Sequence, residues 1–94
     1  DNFRQTLTYL RESGLQVVAC TEKTDVSVYD IDFSVPTAVV LGSEEDGIAT
    51  DLIRKADHLC KIPMFGKIES LNVSVSAGVI LYETVRQRNL KQSF

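Results

Sequence analysis

The chain opens with a pattern of apolar positions that predicts an amphipathic helix. Phe3, Leu7 and Leu10 recur at helical spacing, with polar and charged residues between them, and would share one face. Asn2 is a residue type that caps helices, and Gly14 supplies the left-handed conformation that commonly ends them. We therefore expect a helix that is capped by Asn2 and stops at Gly14.

Three short apolar runs predict β-strands at residues 15–19, 37–41 and 58–62. The first lacks alternation, as expected of a strand buried on both faces. The second is rich in β-branched residues and is bounded by Pro36 and Gly42, so we predict a central parallel strand. The third stops at Pro63, which cannot donate a hydrogen bond to a neighbouring strand.

The segments between these strands differ in what their patterns predict. Residues 21–36 are rich in Asp, Ser and Thr, and we expect an irregular segment, although the alternation at Val26, Val28 and Ile31 also fits a short edge strand. Residues 49–56 place apolar side chains on one face and an aspartate in the first turn, which predicts a short helix.

The C-terminal pattern is open to two interpretations. A Val-Ser-Val-Ser alternation imitates a strand, whereas Val73, Ala77, Ile80 and Val85 keep a helical spacing that persists to residue 88. This length favours a helix. Its first half is apolar or small on all sides and is expected to be buried, and the polar tail beyond Arg86 is expected to be solvated.

Together these elements predict an α/β fold, in which a parallel sheet is covered by helices and functional loops follow the carboxyl ends of the strands. Ninety-four residues, 44% of them hydrophobic and 24% charged, allow one small domain. A domain of this size buries a modest share of its surface. Oligomerisation, or a further segment that covers an open apolar face, is therefore expected.

Charge and cysteine content narrow the classes of function. The net charge of −3 argues against a surface that binds polyanions throughout, but Arg86, Arg88 and Lys91 leave a local basic surface at the C-terminus. Cys20 and Cys60 lack metal-site spacing, so two buried free thiols are predicted in preference to a disulfide, and no metal site is expected. No membrane-spanning run or secretory signal is recognisable, and we expect a cytoplasmic location.

Two motifs are more specific. The first, VVLGSEEDGI at residues 39–48, is an apolar run that ends at a glycine and enters an acidic loop; the second, IPMFGKIESLNVSVSAGVILYE at residues 62–83, passes through a Ser-Leu-Asn corner into a run of small residues. In order and spacing they resemble the second and third motifs of the SpoU–TrmH branch of the SPOUT methyltransferases. The resemblance covers nearly the whole chain. That family's first motif, an Asn-x-Gly-type loop with a catalytic arginine, has no counterpart here, so residues 1–94 are expected to be the C-terminal portion of a methyltransferase domain.

The resemblance implies an RNA 2′-O-ribose methyltransferase that uses S-adenosylmethionine, acts on tRNA or rRNA, forms a homodimer and carries a C-terminal trefoil knot. In this family an adenine is held between apolar side chains and main-chain hydrogen bonds. The implied cofactor-binding residues are Leu41, Gly42, Ile62, Met64, Gly66 and Leu71. From the residues alone, a turn glycine at position 42 and ordinary core packing of Met64 are simpler interpretations.

The catalytic positions implied by the resemblance are Glu44, Ser70 and Asn72. Glu44 would help to organise the site, and Ser70 and Asn72 would position the cofactor and the acceptor ribose. A solvated carboxylate is the simpler interpretation of Glu44, and a helix cap that of Ser70. Methyl transfer from a sulfonium is an in-line displacement, so these residues would act by aligning the reacting atoms.

The alternative function is a non-catalytic knotted α/β module that binds a ligand or dimerises without turnover, which the acidic composition slightly favours. The presence or absence of an upstream arginine loop would distinguish the two. A flavodoxin-like nucleotide domain is a weaker option, because the chain has no Gly-x-Gly-x-x-Gly or phosphate-binding loop.

Overall fold

The computed structural model describes residues 2–41, 54–64 and 72–92. Within these ranges a parallel sheet lies between two helices, which confirms the predicted α/β class. The elements, in chain order, are α1 (Asn2–Glu12), β1 (Gln16–Cys20), a 3-10 helix (Val28–Asp30), β2 (Thr37–Val40), β3 (His58–Cys60) and α2 (Val73–Gln92).

Helix α1 has the predicted amphipathic character. Leu7 is buried, Phe3 and Leu10 pack beside it against the sheet, and Gly14 ends the helix with a positive φ of 94°. The helix includes Asn2 in its first turn, so the prediction that Asn2 caps it from outside is wrong.

The three strands are parallel and lie in the order β2-β1-β3. The prediction that residues 37–41 form the central strand is therefore wrong among the described strands, because β1 occupies the middle and Val17, Val18 and Ala19 are fully buried. The two runs share the same apolar character, and their order in the sheet depends on contacts that are distant in the sequence. Strand β2 ends one residue earlier than predicted, at Val40, and β3 ends two residues earlier, at Cys60.

Each face of the sheet has its own apolar core. Val17 and Ala19 point towards α1 and join Leu7, whereas Val18 points to the other face and joins Phe33 and other residues of the second cluster. This division follows from the alternation of side chains along a strand. The second core consists of Val18, Val28, Ile31, Phe33, Cys60 and Ile80.

Residues 21–36 are irregular apart from the short 3-10 helix, as predicted. The segment is nonetheless packed, since Val28 and Phe33 are fully buried. The alternative prediction was a short edge strand. In the described residues this segment forms one isolated parallel bridge, between Ser27 and Lys61. This segment closes the second core because its apolar side chains reach under the sheet.

Asp57 secures the amino end of the sheet. Its Oδ2 accepts a hydrogen bond from the Val17 N–H at 2.7 Å, and its own N–H donates to the Val17 carbonyl at 2.9 Å. Arg11, in the last turn of α1, pairs with the same carboxylate at 3.2 Å. One side chain thus connects α1, β1 and the start of β3.

Helix α2 confirms the helical interpretation of the C-terminal pattern and extends to Gln92, four residues beyond the predicted end. Its first turn is more open than predicted, since Val73 is 59% and Val75 48% exposed. Only one face of the helix meets the sheet, and Ser76 and Ile80 are buried there. The tail is also less solvated than predicted because Gln87 and Arg88 bind residues 31–35, as described below.

Two further predictions concern residues near the sheet. The predicted helix at residues 49–56 lies largely outside the described residues, of which Arg54 and Lys55 are helical. Cys20 and Cys60 are free thiols, as predicted, although Cys20 is only half-buried. Across the described ranges, no helix is both long and apolar enough to cross a membrane.

Candidate functional site

The carboxyl ends of the three strands define one edge of the sheet, which we call the carboxyl edge. Val40 of β2 lies beside Ala19, and Cys60 of β3 lies beside Cys20. The chain segments that follow β2 and β3 therefore leave the sheet at the same edge with β1 between them, about 10 Å apart. In parallel α/β sheets this edge is where ligands bind.

Two of the predicted cofactor-binding residues come together at this edge. Leu41 directly follows β2, Ile62 follows β3, and both are half-buried against the same apolar cluster. Met64 lies two residues further along and is also half-buried. The structure therefore gives the carboxyl edge an apolar floor to which two separate segments contribute.

Asn72 is directed towards the same edge by the orientation of α2. Gln87 and Arg88, near the end of α2, bind residues 31–35, which lead into the amino end of β2. The helix therefore runs against the strand direction. Fifteen residues of helix span about 22 Å, which exceeds the length of these strands, so the start of α2 reaches the carboxyl edge.

Asn72 is the cap of α2. Its side-chain Oδ1 accepts a hydrogen bond from the Val75 N–H at 2.9 Å, and its backbone carbonyl accepts one from the Ser76 N–H at 3.0 Å. The prediction that Ser70 caps this helix is therefore wrong, because the helix begins at Val73 and Asn72 occupies the capping position. With Oδ1 engaged, the amide nitrogen is the donor that the side chain presents to its surroundings.

The remaining predicted site residues lie outside the described part of the chain: Gly42, Glu44, Gly66, Ser70 and Leu71. Their roles stay predictions. Among the described residues, no three side chains of His, Cys, Asp or Glu converge as they would to hold a metal ion.

One feature of the carboxyl edge was not predicted from the sequence, namely the pairing of the two cysteines. Cys20 and Cys60 are directly opposite each other on β1 and β3. A hydrogen bond with Cys20, together with burial, raises the pKa of the Cys60 thiol. Cys60 is thus held as a neutral thiol and contributes apolar volume beneath the site. Forty residues of separation gave no signal of this pairing.

A second chain segment borders the edge beside β3. The Val28 N–H donates to the Lys61 carbonyl, and the Lys61 N–H donates to the Val26 carbonyl, both at 2.8 Å. The Lys61 side chain pairs with the exposed Asp25 at 3.7 Å. An ion pair this exposed contributes little stability, so the backbone bonds hold this border in place.

The sequence of this chain is similar to a family profile and to the sequences of known methyltransferases. The sequence profile of the SpoU rRNA Methylase family matches residues 1–82. A tRNA (guanosine(18)-2′-O)-methyltransferase of Aquifex aeolicus is 41% identical over 92 residues, which cover 97% of this chain and 44% of that protein. The 23S rRNA (guanosine-2′-O-)-methyltransferase RlmB of Ralstonia nicotianae is 40% identical over 89 residues, covering 95% of this chain and 36% of that protein.

Solved structures show the same fold. The A. aeolicus TrmH/SpoU tRNA modifying enzyme superposes with a TM-score of 0.81 at 39% identity, covering 93% of this chain and 45% of that one. The methyltransferase AviRb of Streptomyces viridochromogenes, in complex with the cofactor AdoMet, gives a TM-score of 0.74 at 35% identity, covering 93% of this chain and 35% of that one. The chain thus spans less than half the length of these relatives. By its profile, sequence and fold, the chain belongs to the SpoU rRNA methylase family.

Proposed function

We propose that this protein transfers a methyl group from S-adenosylmethionine to a ribose 2′-hydroxyl of tRNA or rRNA. The observation that carries the proposal is the apolar floor that Leu41 and Ile62 form at the carboxyl edge. The direction of α2 brings its Asn72 cap towards the same edge. Family membership supports it, since relatives at about 40% identity are named as tRNA and rRNA 2′-O-methyltransferases. Residues 1–94 would be the C-terminal portion of the catalytic domain.

The described residues fit an adenosyl cofactor. Leu41 and Ile62 provide an apolar surface from two strands, and the chain beyond Lys61 leaves the sheet, so that residues 62–64 can present backbone groups to a heterocycle. Half-buried Met64 adds a flexible apolar side chain. The structure of AviRb in complex with AdoMet supports this assignment, because it shares the fold at 35% identity. When bound, the cofactor supplies an electrophilic methyl group.

Asn72 would act by orientation. Its Oδ1 is engaged by the Val75 N–H, so the direction of the amide is fixed and its Nδ2 can donate to an oxygen of the cofactor or the ribose. A donor that is already oriented needs no rearrangement when the reacting atoms align, which is how positioning lowers a barrier. Glu44 and Ser70 complete the proposed catalytic set, and Gly42, Gly66 and Leu71 the proposed cofactor pocket.

The end of α2 provides a surface for RNA. Arg88 and Lys91 line an open concavity of about 330 Å³ together with Ser34 and Pro36. Arg88 Nε and Nη2 already donate to the carbonyls of Phe33 and Val35, so its positive charge and the Lys91 ammonium group are what this surface offers to phosphate groups. The overall net charge of −3 makes a local cationic surface of this kind the favoured place for a polyanion.

We also propose that a second copy of the chain covers the outer face of α2. Leu81, Tyr82 and Val85 are 62%, 79% and 51% exposed and lie on one stripe of the helix, opposite the buried Ile80 and Glu83. A helix that is apolar on both faces is typical of a buried position. Gly78 lies on the same stripe, and an added Cβ there would meet no atom within 4 Å in the described part, which leaves room for another backbone.

The family resemblance supports one finer feature of this proposal, a C-terminal trefoil knot. In the proposed C-terminal trefoil knot, the last segment threads a loop built around β2. Such knots are very rare among proteins. The cytoplasmic location remains a prediction from the sequence.

The function is tested first by titrating S-adenosylmethionine into the 94-residue chain by calorimetry. We expect saturable binding at about one ligand per chain. Met64→Ala should weaken binding by about tenfold, a loss of about 1.4 kcal/mol, as is usual for a truncated apolar contact. Tyr9→Ala, a truncation of an exposed side chain on α1, is the control and should bind as the wild type does.

Methyl transfer is tested with S-adenosylmethionine labelled at the methyl group and transcripts of tRNA and rRNA, followed by mass spectrometry of the nucleosides. Label in a 2′-O-methylribose is the expected product. Label in a base would contradict the proposal, as would a folded chain that does not bind the cofactor. Saturable binding without turnover would favour the non-catalytic alternative for this chain.

A further inference from the structure

The C-terminal half of α2 is bound to residues 31–35, which we call the 31–35 loop, by side chains of the helix. Gln87 Oε1 accepts the Phe33 N–H at 2.7 Å, and Gln87 Nε2 donates to the Ile31 carbonyl at 2.8 Å. Arg88 donates to the carbonyls of Phe33 and Val35. The loop has no regular secondary structure, so these bonds replace the backbone partners that a helix or strand would supply.

Gln87 is itself oriented by a buried carboxylate. Its Nε2 also donates to Glu83 Oε2 at 2.7 Å, and Arg86 binds the same carboxylate through two nitrogens at 2.8 and 2.9 Å. Glu83 is only 5% exposed, and hydrogen bonding from Arg86 lowers its pKa, so the carboxylate is charged. The charge on Glu83 therefore turns the NH₂ group of Gln87 towards Glu83 and Ile31, and its oxygen towards Phe33.

The backbone that Gln87 binds belongs to residues beneath the candidate cofactor pocket. Ile31 and Phe33 are buried together with Ile80 of α2, and Leu41 and Ile62 pack against this same cluster. Closely packed interiors transmit displacements from one side chain to the next. Gln87, at the opposite edge, is thus connected to Leu41 and Ile62 by a continuous series of packed side chains.

We propose that Gln87 is a positioning residue for methyl transfer. By fixing Ile31 and Phe33 against Ile80, it holds the apolar floor beneath Leu41 and Ile62. It also fixes the direction of α2, whose first turn is capped by Asn72. This inference rests on the proposed function, because it assigns Gln87 a part in the same site.

Gln87→Glu gives the proposal a pH-dependent test. The substitution keeps the shape of the side chain, but it places an oxygen where Nε2 now lies, 2.7 Å from Glu83 Oε2 and 2.8 Å from the Ile31 carbonyl. Both partners are acceptors, and a carboxyl group has one O–H at most. The introduced side chain can therefore donate to only one of them, and only when it is protonated, so we expect its pKa to be raised.

The charged groups around this position reinforce that expectation. Arg86 already donates two hydrogen bonds to Glu83. Arg88 donates to the carbonyls of the 31–35 loop. The loop contributes Asp32, whose carboxylate accepts a hydrogen bond from the Ser34 hydroxyl. The positive charge of Lys91 has a smaller effect on the same carboxylate. The carboxylates of Glu83 and Asp32 both oppose ionisation of a new carboxyl group.

At about pH 5, where the protonated carboxyl keeps one of the two donated bonds, we expect Gln87→Glu to bind S-adenosylmethionine nearly as tightly as the wild type. At about pH 8, once the carboxyl has lost its proton, binding should be at least about tenfold weaker. The Ile62 methyl signal in ¹³C NMR should shift over the same pH range. Gln5→Glu makes the identical chemical change on the exposed surface of α1. That control and the wild type should show neither effect.

The two readouts separate the two proposals. A wild type that does not bind the cofactor contradicts the proposed function, while the Ile62 methyl titration still tests the positioning role. A folded Gln87→Glu protein whose cofactor affinity and Ile62 signal ignore pH would overturn that role. If this variant unfolds at high pH, Gln87→Met, which neither donates nor accepts strongly, takes its place. It should bind cofactor more weakly at every pH, and wild-type affinity in folded Gln87→Met would likewise overturn the proposal.

Discussion

At the scale of single residues, Asn72 combines a structural and a proposed functional role. Its Oδ1 caps α2 through the Val75 N–H, while its Nδ2 remains the donor that can reach a ligand. The loss of activity after a simple truncation would therefore mix the two roles. A substitution that keeps the cap and removes the donor separates them.

Asn72→Asp is that substitution, because aspartate caps helices as well as asparagine does. We expect Asn72→Ala to lower the free energy of unfolding by about 1 kcal/mol and Asn72→Asp to change it by only a few tenths. Methyl transfer should fall by at least about tenfold in both, since both lack the amide donor. Urea unfolding and initial rates provide the measurements. Retention of wild-type activity in folded Asn72→Asp would show that only the cap matters.

At the scale of elements, α2 is fixed to the rest of the molecule by polar contacts at its end as well as by Ile80 in the core. The buried Glu83 is central to these contacts, since it binds both Arg86 and Gln87. Hydrogen bonding from Arg86, and then from Gln87, lowers the pKa of Glu83 in the folded state. Docking of α2 therefore depends on pH.

Because the pKa of Glu83 is lower in the folded state than in the unfolded chain, the folded protein loses stability as the pH falls. The stabilisation is present above the ordinary glutamate pKa of about 4.3 and is lost as the pH falls through the lower value of the folded state. We expect Glu83→Gln to be less stable than the wild type at pH 7 by about 1 kcal/mol, or about 4–8 °C in Tm. This difference should shrink as the pH approaches about 3.

Thermal melts between pH 7 and pH 3 measure this effect. Glu12→Gln, which removes an exposed carboxylate at the end of α1, is the control and should follow the wild type closely throughout. A stability difference for Glu83→Gln that stays constant across the range would contradict a charged role for Glu83.

In the molecule as a whole, the outer stripe of α2 is an apolar surface that no described part of the chain covers. Leu81, Tyr82 and Val85 face away from the sheet that buries Ile80. Together with the exposed Val73 and Val75, Leu81 and Tyr82 leave the first half of α2 less buried than predicted within one copy. A second copy would bury them, and the start of α2 would then lie near the interface.

Tyr82→Lys tests this association, because a lysine placed in an apolar interface must lose its hydration. We expect the wild type to sediment at twice the 10.5 kDa chain mass and the variant to sediment as a monomer. Tyr9→Lys is the matched control, since Tyr9 is a similarly exposed tyrosine on α1. A monomeric wild type, or a dimeric Tyr82→Lys protein, would contradict the proposed homodimer.

Much of the fold could be predicted from local pattern. The helical spacing of Phe3, Leu7 and Leu10 predicts a helix, and the apolar run at residues 37–41 predicts a strand. Both predictions use only the spacing of apolar residues that are neighbours in the sequence. The two motifs likewise identified the family, and with it Leu41, Ile62 and Asn72 as site candidates. These conclusions needed no knowledge of contacts between distant residues.

The relations between elements depend on contacts between residues that are distant in the sequence. The tertiary structure places β1 and not β2 in the middle of the sheet, Cys20 beside Cys60, and Gln87 against the backbone of Ile31 and Phe33. Each of these contacts joins residues about 20 to 56 positions apart, and their order depends on which packing buries the most apolar surface and satisfies the most polar groups. Local sequence patterns therefore specify the elements and the family motifs, whereas long-range packing specifies how the elements meet at the candidate site.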